Sequence, residues 1–385
     1  MQQHQQEQKN KLNSKIEKVL EYETNIMKSN NHDNLFSERK SNFINAPFEI
    51  DDNHFAYINT ITEGLTMLPY FLYFSSSMQN NAQLIVDTLN SNNKSSTYNR
   101  VELSKYIANE LAKYTTLSLN SPMLYIFIPH VSYESEPYYQ QLSRECFQIN
   151  KNEKYNRIDL MIKKSIQDAQ SKLRNFTSKE ISDKITLNGY STSGVLAQRF
   201  ALIHPEIVDK AIIGGAAGSI PIPTTDIEYP IGIKDFYKLF NKDFNEKAYK
   251  SIDFAYYVGE FETYDCTYRS DENGRQILVP THDMSFMEKS VPLNIGIKQR
   301  DLLGYNLQDR FQNSINWYKD NNYKIQSKIY RMAKHQSFNK NYIYLKNFLQ
   351  DILNFYKSGC NGDGFKKDIS GVESLSITEH YEHEL

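Results

Sequence analysis

Hydrophobic residues recur at two spacings along the chain, and these spacings predict strands that alternate with helices. Unbroken apolar runs and alternating residues predict strands in FAYINTIT (55–62), MLPYFLYFS (67–75), PMLYIFIP (122–129), DKAIIGGAAG (209–218), IDFAYYVG (252–259) and KIQSKIYRM (324–332). Helical spacing predicts helices in AQLIVDTL (82–89), VELSKYIANELAKY (101–114), RIDLMIKKSIQDAQSKL (157–173) and YIYLKNFLQDILNFY (342–356). We therefore expect an α/β fold with a mostly parallel central sheet and helices on both faces.

One segment, ITLNGYSTSGVLAQRFALIHP (185–205), reads as a strand, a sharp corner and a helix. The corner residue is Ser191, and small residues crowd around it: Gly189, Ser193 and Gly194. A serine in such a corner has a strained backbone, and its hydroxyl projects clear of the sheet. The amide of Thr192 then lies at a helix N-terminus, where it can stabilise an oxyanion. We interpret Ser191 as a nucleophile, although a structural turn is the simpler alternative.

The corner departs from the usual G-x-S-x-G pattern. It reads Gly189-Tyr190-Ser191-Thr192-Ser193, so a serine stands where the last glycine is usual, and Gly194 follows one place later. The five-letter match is imperfect, but the strand before it and the helix after it favour a nucleophile.

A serine nucleophile needs a base, and His335 is the best placed histidine after Ser191. It follows the strand 324–332 and precedes the last long helix. His204 lies on the serine's own helix, where a packing or capping role is the simpler interpretation. His282 lies in a region without a clear pattern, and two more histidines lie in the polar tail, His380 and His383.

The acid that orients the base is expected after the strand IDFAYYVG, where the loop reads GEFETYD (259–265). Glu260 is nearest to the strand end, while Glu262 and Asp265 lie further out and can turn back toward His335. We predict Glu262 as the acid, with Asp265 as the alternative. A second oxyanion amide is predicted in the loop after PMLYIFIP, near Val131.

Polar stretches at the two ends of the chain predict the limits of the domain, and long segments between core strands predict insertions into it. Residues 1–45 are hydrophilic and predict a flexible extension, 46–357 form the α/β domain, and 358–385 predict a flexible tail. Two excursions between core strands, 226–250 and 268–304, are predicted to form a cap or insertion over the site.

Composition narrows the class of protein. The chain has 385 residues, 39% of them hydrophobic, and a net charge of −2, which argues against nucleic acid or an acidic membrane surface as a partner. Its three cysteines, Cys146, Cys266 and Cys360, lie far apart without metal-ligand spacing, so neither a disulfide framework, a metal nor a cofactor is predicted. No run approaches the ~18 apolar residues of a membrane span. The N-terminus lacks the apolar core of a signal peptide, so the cytoplasm is the predicted location.

Several stretches together resemble the α/β-hydrolase superfamily, in particular bacterial esterase-like members with a G-[YF]-S-x-S-G corner. They are GYSTSG with RFALIHP, RIDLMIKKSIQDA, YVGEFETYD and NWYKDNNYKIQSKIYRMAKHQSF, in the expected order over residues 120–356. In such relatives the acid segment tends to read G-E-x-D-x-x-D, so Glu262 stands where Asp is usual. The resemblance implies an α/β-hydrolase fold and hydrolysis at a carbonyl.

These observations predict a serine hydrolase, most simply a carboxylesterase acting on a small-molecule ester through an acyl-enzyme. One alternative is an amidase or peptidase of the same fold. Another is a catalytically inactive binding protein, which the departures at residues 193 and 262 would accommodate. The substrate and the oligomeric state are left open.

Overall fold

A computed structural model describes residues 46–49, 53–59, 66–88, 120–129, 137–148, 155–262, 268–270, 276–278, 290–331, 333, 335 and 351–362. The strands in these residues are β1 Phe48–Glu49, β2 His54–Asn59, β3 Tyr70–Ser75, β4 Ala82–Asp87, β5 Met123–Ile126, β6 Ile181–Tyr190, β7 Val208–Gly214, β8 Asp253–Gly259, β9 Tyr268–Ser270, β10 Gln276–Leu278 and β11 Ile325–Tyr330. The helices are α1 Ile158–Thr177, α2 Thr192–Ile203, α3 Phe236–Phe240, α4 Glu246–Ser251, α5 Leu293–Leu303 and α6 Leu307–Asp320. Residues 351–358 are also helical.

Within the described residues, nine strands form one sheet in the order β1-β2-β3-β5-β4-β6-β7-β8-β11. The strands from β5 to β11 in this order pair in parallel, whereas β1, β2 and β3 pair antiparallel at the other edge. The predicted α/β-hydrolase fold with a mostly parallel sheet is confirmed. Because the strands on either side of β6 run parallel to it, their carboxyl ends meet at the edge that holds Ser191.

The predicted helix AQLIVDTL is wrong, because residues 82–87 form strand β4, parallel to both β5 and β6. The consecutive side chains Leu84, Ile85 and Val86 are all buried. A strand covered on both faces needs such an unbroken apolar run, and periodicity cannot distinguish it from a short buried helix. β4 therefore lies between β5 and β6 and is one of the two strands that flank β6 and its serine corner.

Alternate residues of β7 and β8 pack on opposite faces of the sheet. Ala211, Ile213, Phe254 and Tyr256 belong to a large core cluster that includes α1 and α2. Their neighbours Ile212, Ala255 and Tyr257 pack in a second cluster with Phe355 of the helix at 351–358. Helices therefore cover both faces, as predicted. No helix in the described part of the chain is long and apolar enough to cross a membrane.

The first predicted cap segment, 226–250, contains α3 and α4 and follows β7. Five of its large apolar side chains are packed within the main core cluster, namely Tyr229, Ile231, Phe236, Phe240 and Tyr249, whereas Tyr237 is exposed. Tyr229 Oη donates to Leu142 O over 2.6 Å, and this bond ties the segment to the turn before α1. Only parts of the second segment, 268–304, are described, so a cap over the site stays a prediction.

Of the predicted tail, residues 359–361 form a 3-10 turn beside β8 and β11.

A buried ionic cluster joins the start of α1 to the end of α2. Arg157 donates two hydrogen bonds to the Asp159 carboxylate, over 2.9 and 2.8 Å, and His204 Nε2 lies 2.8 Å from the same group. Burial alone raises the pKa of Asp159, but the hydrogen bonds from Arg157 and His204 outweigh it and lower the pKa to about 2. His204 is thus a structural residue at the end of α2.

The Asp159 carboxylate is expected to make the fold sensitive to acid. The shift from 3.8 to about 2 corresponds to about 2 kcal/mol, present above pH ~4 and lost as the pH falls toward 2. Asp159→Asn should lower the free energy of unfolding at pH 7 by about 2 kcal/mol, because it removes the buried charge that the hydrogen bonds from Arg157 and His204 stabilise.

Urea unfolding of both proteins at pH 7, 5 and 3 measures the effect, and the gap between them should narrow as the pH falls. Asp183, whose side chain is 95% exposed in its ion pair with Arg174, supplies the control Asp183→Asn, with no pH-dependent change. A gap that stays constant over this pH range would contradict the assignment.

Candidate active site

Ser191 occupies the corner between β6 and α2 in a backbone conformation that is rare for a serine. Its φ and ψ are 56° and −120°. Such a conformation costs on the order of 1–3 kcal/mol and persists only where the surroundings impose it. Here Ser191 N donates to Gly214 O of β7 over 2.8 Å, and Ser191 O accepts from Val195 N over 2.9 Å. The corner is therefore held by the neighbouring strand and by the first turn of α2.

The two glycines and Ser193 explain the unusual sequence of the corner. A Cβ at Gly189 would lie 2.4 Å from Ser193 O, and one at Gly194 would lie 2.8 Å from Gly214 O. Ser193 Oγ accepts from Tyr190 N over 2.9 Å and donates to Tyr190 O over 3.1 Å. Gly194 is thus the residue that allows α2 to approach β7 closely. Ser193, which stands where the last glycine of the pattern is usual, stabilises the corner through its two hydrogen bonds to Tyr190.

His335 lies directly beside Ser191, although 144 residues separate them in sequence. Its Nε2 is 2.8 Å from Ser191 Oγ, and its Nδ1 is 2.7 Å from Glu262 Oε1. An ionised carboxylate can only accept, so Nδ1 carries the proton and donates to Glu262, which leaves Nε2 to accept from the serine hydroxyl. This tautomer is the one in which the imidazole can take a proton from serine.

Glu262 stands in a tight turn at the end of β8. Glu262 N donates to Gly259 O over 3.1 Å, and Gly259 N donates back to Glu262 Oε2 over 3.3 Å. The side chain is 1% exposed, so the carboxylate oxygens are satisfied by protein donors. Of the three carboxylates in this loop, Glu260 is exposed, and Asp265 lies outside the described residues.

The turn with Glu262 is joined by backbone hydrogen bonds to the segment that leads to His335. Glu260 N donates to Tyr330 O over 2.9 Å, and Phe261 N donates to Ala333 O over 2.8 Å. The segments that carry Glu262 and His335 are therefore fastened to each other at the carboxyl ends of β8 and β11.

Aromatic rings form the floor beneath the imidazole. The ring of Tyr190 lies 5.3 Å from that of His335 and 6.1 Å from that of Tyr257. Gly215 has a φ of +59°, and a Cβ there would lie 2.8 Å from the Tyr190 ring and 3.2 Å from His335 Cε1. Burial, and then the charge of Glu262, raise the pKa of Tyr190, so its phenol stays neutral. A glycine is needed at 215 for both rings to fit.

A further carboxyl group, that of Asp87, lies under the corner at the end of β4. Asn188 Nδ2 donates to it over 2.7 Å. Burial raises the pKa of Asp87 to about 6, against the hydrogen bonds from Asn188, Thr88 and Ser193 that favour the carboxylate. The Asp87 carboxyl beneath the corner is therefore expected to change its charge near pH 6.

Only one of the two predicted oxyanion residues is described. Thr192 is the first residue of α2, so its amide is among those at the helix start that have no acceptor within the helix. Val131 lies outside the described residues. The strand before it, β5, is separated from β6 by β4. The strand that lies between β5 and the serine corner is thus β4, which ends at Asp87. Its unbroken apolar run fits a buried helix as well as a buried strand, so the sequence alone could not place an oxyanion donor after it.

No protein-family model matches the chain, and no curated protein sequence matches it. Among solved structures, the chain is similar to a poly(3-hydroxybutyrate) depolymerase from Bordetella parapertussis, at 11% identity over 79% of this chain and 88% of that one, with a TM-score of 0.43. It is similar to an S-formylglutathione hydrolase from Agrobacterium tumefaciens, at 10% identity over 79% and 94% of the two chains, with a TM-score of 0.40.

An acylaminoacyl peptidase from Pyrococcus horikoshii matches at 9% identity and a TM-score of 0.36. The match covers 81% of this chain but only 42% of the peptidase. At these identities, the reaction of this chain can be inferred only from the residues of its own site.

Proposed function

We propose that the chain is a serine hydrolase in which Ser191, His335 and Glu262 act as nucleophile, base and acid. One observation supports this above all others. Two hydrogen bonds of 2.8 and 2.7 Å link the three side chains in series, and they start from a serine in a strained corner between a strand and a helix. Nucleophile, base and orienting acid within hydrogen-bond reach are the signature of an activated serine.

In the proposed reaction, Ser191 Oγ attacks the carbonyl carbon of the substrate while its proton moves to His335 Nε2. The tetrahedral intermediate collapses when Nε2 returns that proton to the leaving oxygen, which leaves an acyl-enzyme and a free alcohol. Water then attacks the acyl group by the same route and restores Ser191. Glu262 stays ionised and stabilises the imidazolium in both halves of the reaction.

The negative charge on the former carbonyl oxygen needs two amide donors. We propose the amide of Thr192 as one of them, because it adjoins the nucleophile at the positive end of α2. For the second donor, the position of β4 beside β6 favours the loop that begins at Thr88 over the predicted Val131. Removing one such donor costs about 10²–10³ in kcat.

We propose a carboxylic ester of a small molecule as the substrate, because the motifs GYSTSG and RFALIHP are similar to those of esterase-like hydrolases. An amidase or peptidase would use the same three residues but has to protonate an amine. An inactive binding protein would have no need for a strained serine in hydrogen-bond contact with a histidine.

A substrate panel and a covalent probe test this proposal. The wild-type protein should hydrolyse p-nitrophenyl acetate and butyrate with a burst of p-nitrophenol, and should cleave aminoacyl anilides far more slowly. A fluorophosphonate probe should modify Ser191 and spare Ser193, as read by peptide mass spectrometry. Faster cleavage of anilides would assign an amidase, and a folded protein that neither reacts with the probe nor hydrolyses any substrate would be a binding protein.

A further inference from the structure

The side chain of Gln308 reaches the turn that holds Glu262 from a different part of the fold. Its Nε2 donates to Gly259 O over 2.9 Å and lies 3.4 Å from both Glu260 O and Glu262 O. One amide group therefore faces three carbonyl oxygens of a turn that spans only four residues. Gly259 is the last residue of β8 and its carbonyl also accepts from Glu262 N, whereas the carbonyls of Glu260 and Glu262 lie beyond the strand. The Gln308 amide therefore adds to the hydrogen bonds that hold this turn.

Gln308 is itself held in place at the start of α6. Asn306 caps this helix, since its Oδ1 accepts from Asp309 N over 2.8 Å. The neighbours of Gln308 anchor the same turn of the helix: Leu307 is buried, and the buried Arg310 donates to Tyr305 O over 2.7 Å. The amide of Gln308 thus projects from a capped and packed helix end, which limits how far it can move.

The turn is consequently fixed from two sides. On one side its amides donate to the segment before His335, from Glu260 N to Tyr330 O and from Phe261 N to Ala333 O. On the other side its carbonyls face Gln308. A glutamate side chain has three rotatable bonds, so a fixed backbone is what keeps its carboxylate at one place. The 2.7 Å bond from His335 to Glu262 depends on that backbone.

We propose that Gln308 is a positioning residue for the triad acid: its side-chain amide clamps the turn 259–262 so that the Glu262 carboxylate stays on His335 Nδ1. This inference rests on the proposed serine hydrolase function. It requires a donor at residue 308. A carboxylate of the same shape would turn an oxygen toward the three carbonyls and push the turn away.

The experiment compares Gln308→Ala and Gln308→Glu with Gln312→Ala. Gln312 lies one turn further along α6 and is exposed. Within the described residues, its side-chain amide donates only to Asn316 Oδ1, over 3.1 Å. For p-nitrophenyl acetate we expect kcat to fall about 10- to 100-fold in both Gln308 variants, with KM within about twofold, because a misplaced catalytic group lowers turnover more than binding. Gln312→Ala should match the wild type.

A double-mutant cycle with Glu262→Gln separates positioning from a general structural role. If Gln308 acts through Glu262, then Gln308→Ala in the Glu262→Gln background should lower kcat by less than about threefold, because the group that it positions has already been removed. A residue that only supports the fold would cost the same factor in both backgrounds.

The pH profile of kcat/KM supplies a second readout. In Gln308→Ala the midpoint of the acidic limb should move to lower pH, toward that of Glu262→Gln, because a loosened carboxylate stabilises the imidazolium less. The profiles are recorded in parallel with Asp87→Asn, since Asp87 titrates near pH 6 beneath the corner.

The inference is overturned if Gln308→Ala keeps kcat within twofold of the wild type, or if its loss is equal in both backgrounds with an unmoved pH midpoint. Failure of the proposed function would look different. In that case Glu262→Gln and Ser191→Ala would themselves leave hydrolysis unchanged, whatever residue stood at 308.

Discussion

Alanine at Ser191, at His335 or at both is expected to lower kcat for ester hydrolysis by about 10⁶-fold, with the double variant no slower than either single one. The reason is the 2.8 Å contact between Ser191 Oγ and His335 Nε2. Without the imidazole the hydroxyl keeps its proton, and without the hydroxyl the imidazole has nothing to activate. The residual rate should come from the oxyanion donors and from substrate binding alone.

Steady-state kinetics with p-nitrophenyl acetate and probe labelling of each variant measure this effect. Circular dichroism and urea unfolding check that each protein is folded. Ser251→Ala provides the matched control, since Ser251 is an exposed serine that donates to Ala248 O at the end of α4, and it should retain full activity. Additive losses in the double variant would show that Ser191 and His335 do not act as one unit.

Replacing Glu262 by glutamine is expected to lower kcat about 10⁴-fold while the fold is retained. Glutamine keeps the size of the side chain but removes the charge that stabilises the imidazolium and selects the Nδ1-protonated tautomer. Because the Glu262 carboxylate is buried, solvent cannot substitute for it. Asp265→Asn should stay within about threefold of the wild type if Glu262 is the acid.

Glu262→Asp tests the length of the side chain as well as its charge. The aspartate is shorter by one C–C bond of about 1.5 Å, so a 2.7 Å hydrogen bond to His335 Nδ1 cannot persist unless the turn moves. We expect a loss of about 10²-fold, between those of the wild type and Glu262→Gln. A large loss in Asp265→Asn, with little loss in Glu262→Gln, would assign the acid to Asp265 instead.

Several features of this fold follow from short stretches of sequence. The corner at Ser191 is encoded within about ten residues, since the alternation in β6, the small residues around the serine and the helical spacing of α2 all lie next to one another. Strands β7, β8 and β11 are also predicted correctly from their apolar runs, and their order along the chain implies where acid and base should follow.

Other features have no local signal. The run Leu84-Ile85-Val86 fits a buried helix as well as a buried strand, and only its pairing with β5 and β6 decides for β4. In the loop after β8, spacing alone left Glu262 and Asp265 as alternatives. The contact of Gln308 with Gly259 crosses 49 residues, and nothing in the sequence near either residue indicates it.

By itself, the sequence determined the chemistry that is available: a serine in a strained corner, a histidine directly after the last strand and carboxylates after the strand before it. These depend on neighbouring residues, through backbone sterics and hydrophobic periodicity. Only the tertiary structure decided which groups meet. Ser191, Glu262 and His335 come together because the parallel strands β6, β7, β8 and β11 end at one edge of the sheet, and because hydrogen bonds between their loops set distances that no local pattern encodes.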